Sequence, residues 1–199
     1  MASESVFVLL GSNLGNREHL VNQACRMMDE RCGKIVAKSR LYESEPWGFN
    51  AEQWFLNQVV KLETMLSPDA LMQELLSIEK ALGRDRSIPH EGYASRPMDL
   101  DILYFGNKII DTQLVTTPHP RLHQRRFTLL PLCDIAPDFV HPTLKKSNLH
   151  KYERTKHCTY PIRRGRFQGR PGKLQSPLFQ ALYPVCGGNE PHGRNAGPL

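Results

Sequence analysis

The chain has 199 residues, of which 40% are hydrophobic and 23% charged. This composition predicts a globular protein with one sizeable core, and the length is short for two full domains. No stretch approaches the 18 or more consecutive apolar residues of a membrane span, and the N-terminus lacks the features of a signal peptide, so we expect an unprocessed cytoplasmic protein with no membrane partner.

The net charge of +6 is distributed unevenly along the chain. Residues 1–148 carry 17 Lys and Arg against 18 Asp and Glu, whereas residues 149–199 carry 9 against 2. The second segment also loses its apolar periodicity and is rich in Pro and Gly, which is typical of disorder. We therefore expect a folded domain over residues 1–148 and a basic, disordered tail over residues 149–199. The near-neutral domain argues against nucleic acid as a partner, although an RNA- or phosphate-binding arm stays open for the tail.

The first half of the chain alternates strands with helices. Residues 5–10 predict a strand that ends in the turn GSNLGN, and residues 17–31 carry one apolar stripe, which predicts a helix. Residues 35–42 and 55–64 predict two further strands. GSNLGN lacks the spacing of a phosphate-binding loop, so we interpret it as a tight turn between strand and helix.

The following elements favour an α+β fold. Ser67 and Pro68 are typical of a helix N-terminus, and an apolar stripe continues from there towards Gly83. After an arginine-rich loop comes the strand RPMDLDILYF, residues 96–105, and Gly106-Asn107 predicts a hairpin into residues 108–110. Two helices among four or more strands with hairpin-type connections indicate a layered α+β domain with a mainly antiparallel sheet.

The strand of residues 96–105 has two carboxylates on one face. Met98, Leu100 and Ile102 occupy alternate positions, so Asp99 and Asp101 point together to the other side, roughly 6–7 Å apart along the strand. Magnesium prefers such oxygen ligands, together with phosphate oxygens and water. The pattern therefore predicts a metal site, with an ordinary salt-bridged surface strand as the alternative.

Basic side chains flank this strand in the sequence on both sides. They are Arg84, Arg86, Arg96, His119, Arg121 and Arg125. Arginine matches phosphate oxygens well, so the set predicts a polyphosphate–magnesium site.

A second group of residues suits a flat heterocycle. Pro46, Trp47, Phe55 and Phe127 offer apolar and aromatic surface, and Asn57 offers both an acceptor and a donor to a ring edge. Core packing is the alternative for each aromatic residue, whereas an amide inside a strand must find a partner or face solvent.

Taken together, the motifs resemble one family. GSNLGN, YESEPWGF, FLNQVVKLET, IEKALGR, SRPMDLDILYFG, PHPRLHQRRF and PLCDIAP occur in the order seen in the 6-hydroxymethyl-7,8-dihydropterin pyrophosphokinases of folate biosynthesis, over about residues 5–145. The resemblance implies a ferredoxin-like α+β fold, ATP as donor, and transfer of its terminal pyrophosphate to the pterin's hydroxymethyl oxygen with release of AMP. It also implies ATP and a dihydropterin as partners, and we expect a monomer.

The resemblance assigns phosphate and metal roles to matching positions. Asp99 and Asp101 would hold two Mg²⁺ ions. The resemblance puts Arg84, Arg86 and Arg96 in a mobile loop that closes on ATP. The remaining nucleotide positions would be Glu79, Ile102, Thr116, His119 and Arg125, of which His119 and Arg125 contact phosphates and Ile102 and Thr116 lie near the nucleoside.

The resemblance also assigns the pterin site. Asn57 would bind the pterin edge and Phe127 would stack on the ring, while Ser44, Trp47 and Phe55 shape the pocket. Three features depart from many relatives, namely Tyr93 in the loop, Glu45 and Trp47 in the pocket, and the tail. A catalytically impaired pterin-binding protein is the alternative function, although intact residues argue against it, namely Asp99, Asp101, Arg96 and His119.

Overall fold

The computed structural model describes residues 3–46, 52–84 and 94–155, together with the backbone of residues 162–164. Internal contacts divide the chain into a unit of residues 1–166 and a unit of residues 167–199, and the second unit lies outside the described residues. The elements are β1 (Glu4–Ser12), α1 (Arg17–Arg31), β2 (Lys34–Lys38), β3 (Tyr42–Ser44), β4 (Phe55–Thr64), α2 (Pro68–Ala81), β5 (Asp99–Phe105), β6 (Ile110–Asp111), β7 (Thr116–Thr117), a 3₁₀ turn (Leu122–Gln124), α3 (Arg126–Ile135), α4 (Asn148–Arg154) and β8 (Ile162–Arg164).

An antiparallel sheet forms the centre of the first unit. Its strand order is β5-β1-β4-β3-β8, and β2 pairs with β4 beyond the end of β3. Helices flank this sheet, and β6 and β7 form a separate two-stranded ladder. The α+β class expected from the sequence is confirmed.

Both predicted helices begin at the expected capping residues. The side chain of Asn16 accepts a hydrogen bond from the backbone N–H of His19 at the start of α1. Ser67 accepts one from the N–H of Ala70, and Pro68 occupies the first turn of α2. These side chains satisfy N–H groups that have no partner inside the helix, which fixes where each helix starts.

One face of the sheet packs against α1 and α2. Val8 and Leu10 of β1 lie there beside Leu71, Leu75 and Ile78 of α2, and all five are completely buried. Burial of each such side chain contributes about 1.5–3 kcal/mol to folding. This core holds the central strands in register.

The opposite face carries an aromatic cluster. Phe7 lies between Val6 and Val8 on β1 and therefore points away from them, and its ring meets Tyr104 edge-on at 6.0 Å and Phe139 at 5.3 Å between centroids. The chain around Phe139 leads from α3 to α4, so this cluster attaches both helices to the sheet.

Two predicted strands differ from the observed ones. Residues 35–42 form two short strands instead of one, because the chain leaves the ladder at Ser39, where the Ser39 hydroxyl accepts the N–H of Val59. The hairpin predicted at Gly106-Asn107 reaches only a single bridge between Phe105 and Lys108. The turn itself is therefore present, but the strand predicted over residues 108–110 is not, because Ile110 and Asp111 pair with β7 instead of β5.

The predicted tail begins too early. Residues 149–154 belong to α4, which starts at the Ser147 cap and buries Lys151 and Tyr152. The prediction used the composition of the whole segment of residues 149–199, and the many Pro and Gly residues later in that segment outweighed the few residues of this short helix. Thr155 caps the C-terminus of α4, residues 162–164 form β8, and the rest of the predicted tail lies outside the described residues. None of the described helices has the length and apolarity to cross a membrane.

Candidate active site

A pocket opens at the ends of β1, β4 and β5. Its lining comprises Leu9, Gly11, Ser44, Glu45, Phe55, Asn57, Arg96, Asp99, Asp101, Arg125 and Phe127. Eight of these are residues that the sequence predicted for the site, and they come from segments far apart in the chain. Leu9, Gly11 and Glu45 line the pocket without having been predicted to bind anything.

The two carboxylates project into this pocket from β5. Asp99 lies opposite Gly11 and Asp101 opposite Leu9 on β1, whereas the intervening Leu100 packs into the core. The predicted shared face is therefore present, because side chains alternate along a strand.

Arginines surround Asp99. Nη1 of Arg84 donates to Oδ1 of Asp99, and Nη2 of Arg96 lies 2.6 Å from Oδ2. Asp101 is further from its partner, with Nη1 of Arg125 at 3.9 Å from its Oδ2. The acid pair thus has three arginines around it, as a polyphosphate site requires.

The acid pair fits a hard divalent cation. Burial, and secondly the charge of Asp99, hold the pKa of Asp101 well above its usual range. A cation between the two would relieve this repulsion, and carboxylate oxygens are ligands that Mg²⁺ prefers. Among the residues that the structure describes, no group of three or more His, Cys, Asp or Glu could hold a metal. The fit therefore depends on this pair.

Glu79 binds the backbone of the acidic strand β5 and the side chain of Arg84. It is 1% exposed, and its Oε1 accepts the N–H of Leu100 at 2.8 Å and Nη1 of Arg84 at 2.7 Å. A buried carboxylate needs such partners. Glu79 therefore holds both β5 and the arginine that reaches Asp99.

Asn13 is a positioning residue that the sequence motifs did not reveal. It is fully buried in the GSNLGN turn; its Oδ1 accepts the N–H of Arg96 at 2.7 Å, and its Nδ2 donates to Oγ of Ser95 at 2.9 Å. The turn thus fastens the segment that carries Arg96. The sequence feature that could have indicated this role is the residue type, because the amide of a buried asparagine needs polar partners.

His119 lies beside β5, where its backbone N–H donates to the carbonyl oxygen of Leu103 at 2.9 Å, and its imidazole is neutral. Burial, and secondly the nearby charge of Arg125, lower its pKa to about 4. Its Nδ1 accepts the N–H of Arg121 at 3.2 Å, which leaves Nε2 as the protonated nitrogen. A neutral donor of this kind suits a phosphate oxygen.

The other end of the pocket suits a flat ring. Asn57 is 2% exposed, and its Nδ2 donates to Oγ of Ser44 at 2.9 Å. Phe55 and Phe127 line the same pocket, and the guanidinium carbons of Arg96 and Arg125 respectively lie 5.6 Å from their ring centroids. Apolar rings with one oriented amide are typical of a heterocycle site.

Two predicted residues lie away from this arrangement in the described structure, and the placement of others is not described. Ile102 packs in the core, and Thr116 is exposed on β7, where its hydroxyl donates to Asp111 at 3.0 Å. Trp47 and Arg86 lie outside the described residues, as does Tyr93. The roles predicted for these positions stay predictions.

The site combines an acid pair and arginines at one end with an amide and two aromatic rings at the other. This arrangement is typical of enzymes that transfer a phosphate-containing group to a ring-bearing acceptor. The sequence model of the 7,8-dihydro-6-hydroxymethylpterin-pyrophosphokinase family matches residues 7–137.

Individual proteins agree with this match. The chain is 40% identical over 146 residues to the 2-amino-4-hydroxy-6-hydroxymethyldihydropteridine pyrophosphokinase of Porphyromonas gingivalis, covering 72% of this chain and 98% of that protein. It is 41% identical over 152 residues to the folic acid synthesis protein fol1 of Pneumocystis carinii, covering 76% of this chain but only 20% of that protein. The fold is similar to that of wild-type Plasmodium falciparum HPPK-DHPS, with a TM-score of 0.62 and 15% identity over 76% of this chain and 44% of that chain.

The chain therefore belongs to the 7,8-dihydro-6-hydroxymethylpterin-pyrophosphokinase family, enzymes that transfer pyrophosphate from ATP to hydroxymethyldihydropterin in folate synthesis. The resemblance seen in the sequence motifs is confirmed, and with it ATP and a pterin as ligands of the family.

Proposed function

We propose that this chain transfers the terminal pyrophosphate of ATP to the hydroxymethyl oxygen of 6-hydroxymethyl-7,8-dihydropterin and releases AMP. The observation that carries this proposal is the joint lining of one pocket by Asp99 and Asp101 and by Asn57, Phe55 and Phe127. Such a pocket can hold a phosphate donor and a ring acceptor next to each other, which removes much of the entropic cost of their reaction.

Asp99 and Asp101 are the residues that would hold two Mg²⁺ ions. Metal bound there supplies charge neutralisation for the phosphate chain. The raised pKa of Asp101 supports this assignment, because a cation bound beside the pair would favour the charged form of this carboxyl.

Arginines and a histidine would bind the phosphates. Arg84 and Arg96 already lie against Asp99, so they are close enough to exchange this carboxylate for phosphate oxygens. Arg125, near Asp101, and the neutral His119 add further donors. We expect Arg86 to join them from the loop. Glu79 acts through Arg84 and the backbone of β5.

The acceptor would lie against the aromatic end. Asn57, oriented by Ser44, would bind the pterin edge, and Phe55 and Phe127 would cover the ring faces. In the transfer, the hydroxymethyl oxygen forms a bond to the β-phosphorus, the bond from that phosphorus to the oxygen shared with the α-phosphate breaks, and AMP departs. We assign no side chain as the base that takes the hydroxyl proton.

Four broader properties belong to the same proposal. We expect a monomeric, cytoplasmic enzyme that binds no nucleic acid and whose catalytic unit is the folded domain. The positions predicted near the nucleoside, Ile102 and Thr116, and the pocket residue Trp47 complete the proposed set.

The test is AMP formation from ATP and Mg²⁺ with and without the pterin. Wild type is compared with Asp99→Ala/Asp101→Ala and with Arg26→Ala, a change on the exposed side of α1, as a matched surface control. We expect pterin-dependent AMP from wild type and the control but none from the double variant. Pterin binding without AMP from correctly folded wild type would instead support the catalytically impaired pterin-binding protein.

A further inference from the structure

Gly11 occupies the strand position between the two halves of the pocket. On β1 it lies opposite Asn57 of β4 on one side and Asp99 of β5 on the other. The proposed ring-binding amide and the proposed metal-binding acid are therefore its two cross-strand neighbours. Any side chain on residue 11 would project into the pocket that all three residues line.

The protein itself has room for a side chain there. A Cβ on Gly11 would lie 3.6 Å from Oδ1 of Asn57, 3.7 Å from Cδ1 of Phe55 and 3.9 Å from Cβ of Asp99, all ordinary van der Waals distances. Gly33 differs, because a Cβ there would lie 2.3 Å from the backbone oxygen of Glu63. Packing explains the glycine at position 33 but not the one at position 11.

A glycine inside a central strand is unfavourable for folding. It contributes no packing and loses more backbone freedom than other residues, and its presence often marks a place where a ligand approaches the backbone. At Gly11 the neighbouring side chains belong to the pocket, so the space left open is ligand space.

We propose that Gly11 is a specificity-determining residue, whose missing side chain leaves room for the linkage between the pterin ring at Asn57 and the phosphates at Asp99. This inference rests on the proposed function. A methyl group at position 11 would lie in van der Waals contact with the amide oxygen of Asn57 and keep the ring from approaching it. Nucleotide binding depends mainly on charged groups further along the pocket and would change little.

The experiment measures pterin binding separately from turnover. Wild type, Gly11→Ala and Gly11→Val are titrated with 6-hydroxymethyl-7,8-dihydropterin in the presence of Mg²⁺ and α,β-methylene ATP, which cannot transfer its pyrophosphate. The analogue is also titrated alone. Ser5→Thr serves as the matched control, because it adds one methyl group to the same strand opposite Glu63, far from the pocket.

We expect the pterin Kd and KM to rise at least tenfold in Gly11→Ala and further in Gly11→Val. The Kd of the ATP analogue should stay within twofold, the Tm should not fall, and Ser5→Thr should match wild type. An unchanged pterin Kd in both glycine variants overturns the inference. So does a Tm loss of more than 5 °C with equal weakening of both ligands, since the glycine would then serve the fold.

The two proposals fail in distinguishable ways. If wild type binds the pterin but forms no AMP, the proposed transfer fails while the Kd comparison still decides the role of Gly11. If wild type forms AMP and the glycine variants bind the pterin normally, only the inference about Gly11 fails.

Discussion

Glu79 and Asp99 accept hydrogen bonds from the same nitrogen, Nη1 of Arg84. One acid belongs to α2 and the other to β5, so this guanidinium joins the helix to the strand that carries the acid pair. Burial lowers the pKa of Arg84, but both acids outweigh it and raise the pKa overall. The arginine therefore remains charged and binds both carboxylates at once.

Removing the carboxylate of Glu79 should destabilise the fold around the acidic strand β5. In Glu79→Ala the N–H of Leu100 and the half-buried Arg84 lose a partner, so we expect the free energy of unfolding to fall by about 3 kcal/mol. Glu79→Gln keeps an acceptor for Leu100 and should lose less. Urea unfolding of the two variants measures the difference. Equal losses in both would contradict the role given to the buried carboxylate oxygen.

The two metal-site acids should differ in their effect on stability. Asp99→Asn removes one of the two charged partners of Arg84 and also removes the carboxylate that pairs with Arg96, so unfolding without ligands should become easier by about 2 kcal/mol. Asp101→Asn removes a crowded charge, so stability should stay level or rise by about 1 kcal/mol.

Both changes should reduce AMP formation by about a hundredfold or more, because each removes a proposed metal ligand. Urea unfolding in EDTA and the AMP assay are run on the same preparations. A fall in stability for Asp101→Asn as large as that for Asp99→Asn would refute the idea that the pair is strained without a cation.

His141 should make a contribution to stability that is lost in mild acid. Burial lowers the pKa of His141 to about 4, with nearby Lys151 adding a like charge. Since the folded pKa lies below the unfolded value of about 6.5, stability is complete above pH 6.5 and is lost as the pH falls towards 4. The loss from this residue is about 1–3 kcal/mol.

His141→Asn should reduce that loss while preserving the fold. Nδ1 of His141 accepts the N–H groups of Thr143 and Leu144, and an asparagine oxygen can take its place. Urea unfolding at pH 7 and pH 4.5 gives the comparison. The difference in unfolding free energy between the two pH values should become smaller in the variant. It should not vanish, because the pKa of His119 is also lowered. If wild type and variant lose the same unfolding free energy between pH 7 and pH 4.5, His141 is not the source of the loss.

Helix α4 should be essential to the domain. Tyr152 is 4% exposed, and its hydroxyl accepts a hydrogen bond from Arg126 at 3.2 Å. Tyr152→Ala should therefore cost about 3 kcal/mol, and a chain ending at residue 147 should unfold more easily still. The exposed Glu153→Ala serves as the control and should behave as wild type in urea. Full stability after deletion of α4 would restore the domain boundary predicted near residue 148.

Local patterns predicted most of the fold. Helix α1 and strand β4 begin and end as the periodicity indicates, because caps and apolar alternation act within a few residues. The break at Ser39 and the pairing of β6 with β7 depend on partners elsewhere in the chain, so no local pattern reveals them. Helix α4 is stable through burial against Tyr104 and its neighbours, which composition does not report.

The site was predictable where residue type limits the chemistry. Paired acids on a strand and clustered arginines indicate charge binding from their residue types and spacing alone. The support given by Asn13 to Arg96 was not predictable, since the two lie 83 residues apart and meet only through the fold. Ile102 lies on the opposite face of β5 from Asp99 and Asp101, as the alternation along the strand predicts. For the same reason its side chain points into the core and away from the pocket.

Strand β8 pairs along the outer edge of β3, residue for residue with Tyr42, Glu43 and Ser44. An unpaired strand edge offers free N–H and C=O groups to any extended chain that approaches it, which is a common start of aggregation. The short β8 covers this edge beside the pocket from within the same chain. Shortened versions that end before residue 162 should therefore be less soluble at high concentration, even where their catalytic residues are all intact.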